Sequence, residues 1–358
     1  MLTLQEIEKY CEQKGLKKYR AKQIYQNTVR NLVNSWDEAI DLPKDLQQVL
    51  TNDMPISTLK VREILEAGNG DSIKIAFNTH DGLVIETVLM KHRDERNTVC
   101  VSTQAGCPMN CAFCATGKLG LKRSLMAEEI VDQVIEFARL LKKQGESVNS
   151  VVFMGMGEPF ANYENTISAI EILNDGQGFN IGSRHITVST SGLAPEILKF
   201  AKEKSQVNLA ISLHAPNDEI RDSLMPVNKK YPLSKLLPAV SEYMDLTGRK
   251  VFFEYILLKG VNDSDENIQE LIDLMREYFP NQFNLVHINL IEYNPVGAGL
   301  APAQKRQPQG LPLQFESPSP DRVKKIFDIL QKNKILTTIR HKFGQDIKAA
   351  CGQLAGQG

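Results

Sequence analysis

From Val99 onward, short apolar runs that read as buried strands alternate with amphipathic stretches of helical period, and this alternation constrains the fold more than any other feature of the chain. The first run, Val99–Thr103, is rich in small and β-branched residues. Further strands are expected near Ser150–Met154, His185–Thr190, Val207–His214, Lys250–Leu258, Val286–Glu292 and Leu336–Arg340. Helices are expected over Met126–Lys143, Asn162–Leu173, Leu193–Glu203, Lys235–Leu246, Asp265–Tyr278 and Asp321–Lys332. Strands separated by helices pair in parallel through right-handed crossovers. The predicted core is therefore an α/β open sheet or barrel of six βα units.

The preceding sequence follows other patterns. Residues 1–55 carry helical periodicity through Leu4, Ile7, Cys11, Ile24, Val29, Leu32 and Val33, interrupted at Gly15 and Pro43, and read as a small helical accessory module. Between Lys9 and Arg30, seven basic residues stand against one acid, Glu12. Such a patch serves either as a phosphate-binding face or as an ordinary solvated helix surface. Residues 56–97 turn to period two, with Ser72–Asn78 and Leu83–Met90 flanking His80-Asp81-Gly82, the pattern of a β-hairpin extension. The barrel and a C-terminal tail would occupy 98–358. Within that region Gly297–Pro320 holds five prolines and three glycines and reads as a long mobile loop.

A chain of 358 residues exceeds the usual single-core size, and its formal net charge of -1 exerts no global pull on nucleic acid. Any RNA affinity must be local. The N-terminus lacks the basic start and apolar core of a signal peptide, and no apolar run is long enough to cross a bilayer, so a cytoplasmic protein with no membrane partner is expected. In a reducing cytosol the six cysteines are better candidates for ligands and catalysts than for a disulfide framework.

Three of them fall within eight residues, Cys107-Pro-Met-Asn-Cys111-Ala-Phe-Cys114. Thiolates are the usual ligands of iron–sulfur clusters, and a 4Fe-4S cubane takes four. Three local thiolates would leave the fourth iron for a ligand that is not protein. The alternative is a structural zinc site, although zinc motifs usually pair two C-x-x-C units and no second unit is present. The spacing resembles the signature of the radical SAM superfamily, whose cluster binds S-adenosyl-L-methionine (SAM) and reductively cleaves it. Six βα units after a cysteine-bearing loop fit the partial (β/α)6 barrel of that superfamily.

Polar residues at the carboxyl ends of the predicted strands are the first candidates for ligand contacts. Gly157 and Glu158 end the second strand in Met-Gly-Met-Gly-Glu-Pro, where a glycine admits close approach and a carboxylate can pair with the SAM ammonium. Ser189, then Ser212, Leu213 and His214, and finally Asn294 end later strands and suit ribose, carboxylate or adenine. Cys11 fits the apolar pattern. Cys100, and Cys351 in a polar, glycine-flanked tail, remain unexplained by the cluster.

Cys100 with the three-cysteine loop, together with Met-Gly-Met-Gly-Glu-Pro, Ser-Thr-Ser-Gly, Ser-Leu-His-Ala-Pro-Asn-Asp-Glu-Ile-Arg-Asp and Ala-Ala-Cys-Gly-Gln-Leu-Ala-Gly, resembles the RlmN family of adenine-C2 RNA methyltransferases over nearly the whole chain. The resemblance implies two molecules of SAM per turnover. Cys351 would take a methyl group from the first. The 5'-deoxyadenosyl radical from the second would remove hydrogen from that S-methyl group, and the carbon radical would add to adenine. Cys100 would then free the product by forming a transient disulfide with Cys351, and Glu86 would accept the ring proton. The implied partners are 23S ribosomal RNA, transfer RNA, and an electron donor such as flavodoxin or ferredoxin. Lys118, Lys122, Arg123, Lys229 and Lys230 would extend a basic track for the RNA. The related Cfr-type enzymes methylate carbon 8 with the same cysteines. Pro159 after Glu158 leans to carbon 2.

Overall fold

A computed structural model describes residues 3–203, 205–296 and 315–356. Ten strands form one sheet whose spatial order follows the chain: β1 (Lys60–Glu66), β2 (Ser72–Asn78), β3 (Val84–Lys91), β4 (Asn97–Cys100), β5 (Ser150–Phe153), β6 (Ile186–Thr190), β7 (Asn208–Ser212), β8 (Val251–Leu257), β9 (Val286–Glu292) and β10 (Leu336–Ile339). β1 to β4 pair antiparallel, and from β4 to β10 every pairing is parallel. The parallel part is the expected α/β barrel segment. Helices return the chain between its strands, namely α5 (Ala127–Lys142), α6 (Tyr163–Asn174), α7 (Ala194–Lys202), α9 (Leu233–Thr247), α10 (Asp265–Tyr278) and α11 (Pro320–Lys332). β1 and β10 are not joined, so the barrel is open.

Two short helices complete this region: α4 (Ala115–Lys118), in the cysteine loop, and α8 (Asp218–Leu224). The apolar pattern gave no sign of α8. It is one of several helices that start on a side-chain cap, with Asn217 accepting from the Ile220 amide at 3.0 Å.

The predicted first strand, Val99–Thr103, is displaced: regular pairing covers Asn97–Cys100. Beyond Cys100 the chain stays beside β5 but its bonding is irregular, with Val101 donating to the Val152 carbonyl and Thr103 to the Met156 carbonyl. Ser102 accounts for the break. Its hydroxyl donates to the Glu86 carbonyl at 2.6 Å and accepts from the Met156 amide at 2.9 Å. The hairpin is continuous with the main sheet, because β3 pairs with β4. It also carries an additional strand, β1, which the period-two reading had not separated. As the sheet edge, β1 is exposed along almost its whole length and shows no apolar face.

The N-terminal segment forms α1 (Leu4–Gln13), α2 (Tyr19–Val29) and α3 (Lys44–Asp53), with breaks at Gly15 and Pro43. Thr3 and Glu6 make a reciprocal capping box at the start of α1. Cys11 is buried core. Trp36, almost wholly buried, donates its indole N–H to the Met54 carbonyl at 2.7 Å. Arg139 of α5 donates to the Val33 carbonyl at 2.6 Å, and the Asp132 carboxylate accepts from the Thr58 amide at 2.5 Å and the Ser57 hydroxyl at 3.1 Å. These bonds join the helices to the barrel, and one apolar core runs through both. Among the described residues no helix is long and apolar enough to cross a membrane. Most of Gly297–Pro320 lies outside the described residues. Its last residue, Pro320, begins α11.

Candidate active site at the carboxyl ends of the strands

A cavity of about 580 Å³ opens within the parallel strands. It is lined by Cys107, Cys111 and Cys114, by Cys100 and Cys351, and by Gly157, Glu158, Ser189, Ser212, His214 and Asn294. Cys100 and Cys351, at opposite ends of the barrel sequence, therefore share one chamber.

The cysteine loop is fixed by backbone bonds. Cys107 donates to the Gly120 carbonyl at 3.2 Å, Ala112 to the Leu224 carbonyl at 2.9 Å and Cys114 to the Cys111 carbonyl at 3.2 Å. Gly106, at φ +77, has no room for a side chain, since a Cβ would lie 1.9 Å from the Gly120 carbonyl oxygen. Burial pushes the Cys107 thiol up to about 12 and Cys111 well above its ordinary value, and the charges of Cys114 and Cys107 add to the shift at Cys111. The thiols are thus near neighbours that must lose their protons to bind iron. Among the described residues no three His, Cys, Asp or Glu side chains converge as they would on one metal ion. A cubane asks for a different arrangement, with each thiolate on its own iron. Three thiols on one loop facing one chamber, with Cys107 buried and Cys111 and Cys114 half-buried, fit that group.

The strand-end residues suit a polar ligand. Glu158 is buried, its carboxylate accepting from the Phe160 amide at 3.0 Å and the Ser191 amide at 2.7 Å. Burial raises its pKa against these bonds. Each carboxylate oxygen keeps further acceptor capacity. Gly157 at φ +104 lets the chain pass Gln104, whose Cβ would be 2.6 Å from an added Cβ. His214 has φ +58, and its Nδ1 accepts from the Ile256 amide at 3.1 Å, which puts the ring proton on Nε2. Burial, and then Arg221, lower its pKa to about 3, so the ring is neutral. Leu213 differs from its neighbours: its side chain packs in the apolar core, and its amide donates to the Glu254 carbonyl at 3.1 Å.

Cys351 is open to the chamber, yet surrounding protein desolvates its thiol and pushes it up to about 11, opposed by Arg340. Burial, and then the charge of Cys351, push Cys100 up to about 12, again opposed by Arg340. Asn294 lies between the strand ends and the tail. Its Nδ2 is 3.5 Å from the Cys351 carbonyl, and its Oδ1 accepts from Gln345 at 2.9 Å. Glu86 is buried on β3 and does not line the chamber. It meets the tail instead, accepting from the Ala355 and Gly356 amides at 2.7 and 3.0 Å.

Sequence reasoning missed four charged residues here. Arg340, which lines the chamber, donates to Glu254 at 3.3 Å and lies 3.2 Å from the Met154 sulfur. Glu254 also accepts from Asn289 at 2.9 Å. Arg221, wholly buried, donates to the carbonyls of Ser191, Ser212 and Leu213. Lys74 pairs with Glu86 at 2.9 Å. A charge inside an apolar strand was the available signal for Glu254 and Lys74.

The expected basic track is altered in two places. Lys118, Lys122, Lys229 and Lys230 are exposed, as are most of the basic residues from Lys9 to Arg30. Arg123, however, is committed to Asp81 at 2.6 Å and Glu129 at 2.7 Å, and Lys14 pairs with Asp53 at 2.6 Å.

An open parallel barrel with a three-cysteine loop at its strand ends defines a radical SAM protein, and the model of the Radical SAM superfamily matches residues 101–294. The chain is 44% identical to the probable dual-specificity RNA methyltransferase RlmN of Geobacillus kaustophilus, covering 99% of this chain and 91% of that protein. It is also 44% identical to the protein of the same name from Streptococcus suis, covering 95% and 87%. A crystal structure of a radical SAM methyltransferase from Sphaerobacter thermophilus superposes with a TM-score of 0.91 at 45% identity, covering 99% of this chain and 98% of that one. The chain belongs to the RlmN family of radical SAM RNA methyltransferases.

Proposed function

We propose that this protein methylates carbon 2 of adenine in 23S ribosomal RNA and in transfer RNA, with Cys351 carrying the methyl group to the base. The observation that carries the methyl-carrier reading is the chamber that Cys351 shares with Cys100 and the three loop cysteines, all far upstream of it in the chain; Pro159 and the RlmN relatives favour carbon 2. A radical generator alone has no use for the additional pair.

Cys107, Cys111 and Cys114 would hold a 4Fe-4S cluster. When bound, that cluster supplies the electron that cleaves SAM to a 5'-deoxyadenosyl radical. Glu158, Ser189, Ser212, His214 and Asn294 would bind and orient SAM, with Glu158 suited to an ammonium and the neutral His214 offering its Nε2–H. Cys351, as thiolate, takes the methyl group by displacement from SAM. Burial opposes that ionisation and Arg340 favours it. Once the methylene carbon on Cys351 is bonded to adenine, the Cys100 thiolate attacks the Cys351 sulfur, forming a disulfide while the carbon–sulfur bond breaks; that bond's electron pair passes to the methylene carbon, which takes up a proton to become the methyl group. Glu86, which the tail amides cover in this structure, would accept the proton leaving the ring once the tail moves off it. Residues 1–55 would form an RNA-binding module, since unstacked bases are read while basic groups hold the phosphates. The reaction would run in the cytoplasm with a flavodoxin or ferredoxin as electron donor.

The test is mass spectrometry of ribosomal and transfer RNA from cells lacking and re-expressing the protein. Restoration of 2-methyladenosine in both RNAs is expected. Restoration of 8-methyladenosine instead, or of no methyladenosine, would overturn the reading.

A further inference from the structure

The segment that bears Cys351 is gripped on both sides of the cysteine by the hairpin. Lys74 of β2 and Glu86 of β3 are diagonal neighbours, since Lys74 faces Val88 and Ala76 faces Glu86 in the pairing. Their charged ends meet at 2.9 Å and both side chains are buried. Neither charge is spent on the other alone. Glu86 Oε2 accepts the amides of Ala355 and Gly356, while Lys74 Nζ donates to the Lys348 carbonyl at 3.4 Å. Ahead of Cys351, the Asp346 carboxylate accepts from the Gly68 amide at 2.8 Å. On the other flank the cysteine loop holds the same segment. Ala115 donates to the Gly352 carbonyl at 2.8 Å and the Thr116 hydroxyl to the Leu354 carbonyl at 2.5 Å.

A buried ion pair is a weak stabiliser in itself but costly to leave unpaired. Hydrogen bonds to an ionised group are about twice as strong as neutral ones. A pair that spends its spare bonding on backbone of the tail is therefore built to hold that tail. The contact is also close enough to need glycine: at Gly356, φ +58, a Cβ would lie 2.8 Å from the Val84 carbonyl oxygen.

We propose that Lys74 and Glu86 form a latch that seats residues 352–356, and with them Cys351, in the chamber beside Cys100 and the cysteine loop. The amides of Ala355 and Gly356 occupy Glu86 while the tail is seated. The carboxylate is free to take a proton from substrate only after the tail lets go, so seating and proton removal exclude each other. This inference rests on the reading of Cys351 as the methyl-carrying thiol.

The test uses the full-length, cluster-reconstituted protein and two readouts that involve no RNA. One is amide hydrogen exchange in the peptide covering 350–356, and the other is the rate at which iodoacetamide alkylates Cys351, read by mass spectrometry. Glu86→Gln is isosteric but surrenders the charge. Ala355→Pro removes one donor and leaves the Lys74–Glu86 pair intact, so it reports on the latch even where Glu86→Gln fails to fold. Each loses charge-assisted bonding, and both rates should rise about tenfold, with iron content unchanged. Wild-type exchange and alkylation in Ala355→Pro would overturn the latch while leaving the methylation reading untouched. Failure of the methylation reading would show in the RNA analysis and leave these rates as they are.

Discussion

Replacing Arg221 by methionine tests whether a single buried cation holds the strand ends around the chamber. Its guanidinium donates to the carbonyls of Ser191 at 2.8 Å, Ser212 at 3.2 Å, Leu213 at 3.2 Å and Tyr231 at 3.4 Å, and to Asn228 Oδ1 at 2.6 Å. Methionine keeps much of the stem and offers no donor. Bonds from a charged donor contribute about 1.5–3 kcal/mol each, and several acceptors would lose their partner together. Against that loss stands relief of desolvation, the same burial that lowers the Arg221 pKa to about 10. The net expectation, by analogy with breaking a buried charged contact, is a loss of roughly 3–5 kcal/mol. For a urea dependence of about 3 kcal/mol per molar, the unfolding midpoint should fall by roughly 1–2 M. Ser191 and Ser212 line the chamber, so SAM affinity, measured by equilibrium dialysis, should fall with stability. Arg221→Lys keeps the charge but reaches fewer carbonyls and should recover only part of both losses. A methionine variant within ~0.5 kcal/mol of wild type, with unchanged SAM affinity, would refute the argument.

Three further outcomes are expected. Anaerobic purification should give a brown protein with about four irons per chain, and Cys107→Ser should be colourless; a colourless wild-type protein containing zinc would contradict the cluster assignment. Cys100→Ala should trap RNA covalently on Cys351, visible as a shifted band on a denaturing gel, whereas free methylated RNA at the normal rate would remove Cys100 from its role. Burial raises Asp132 to about 6 against hydrogen bonds from Thr58 and Ser57. Because its folded pKa lies above the unfolded value of about 3.9, the native state retains a proton that the unfolded chain has lost between about pH 4 and pH 6. Its contribution, roughly 3 kcal/mol, is present at low pH and lost as pH rises through 6. Asp132→Asn should remove that slope in urea unfolding at pH 4 and pH 7, and a slope that survives the substitution would assign it to other groups.

Most of the parallel strands were legible because they are largely buried and read as apolar runs, as Val251–Leu257 does. β1 was not, because an exposed edge strand carries no apolar signature and becomes a strand only through its partner β2. The candidate cluster ligands stood out because three thiols in eight residues have few other uses. Cys100 and Cys351 could be joined only through family resemblance, since nothing local to either points to the other. The charges around them explain why local patterns run out. Lys74 alternates with apolar residues in Ser-Ile-Lys-Ile-Ala-Phe-Asn, as does Glu86 in Val-Ile-Glu-Thr-Val, and alternation ordinarily marks a solvated face. Both are buried because the tail returns over 260 residues later to cover that face and takes their remaining hydrogen bonds. An apolar hairpin face would leave the Lys348 carbonyl and the Ala355 and Gly356 amides buried without partners, at about 1–3 kcal/mol for each.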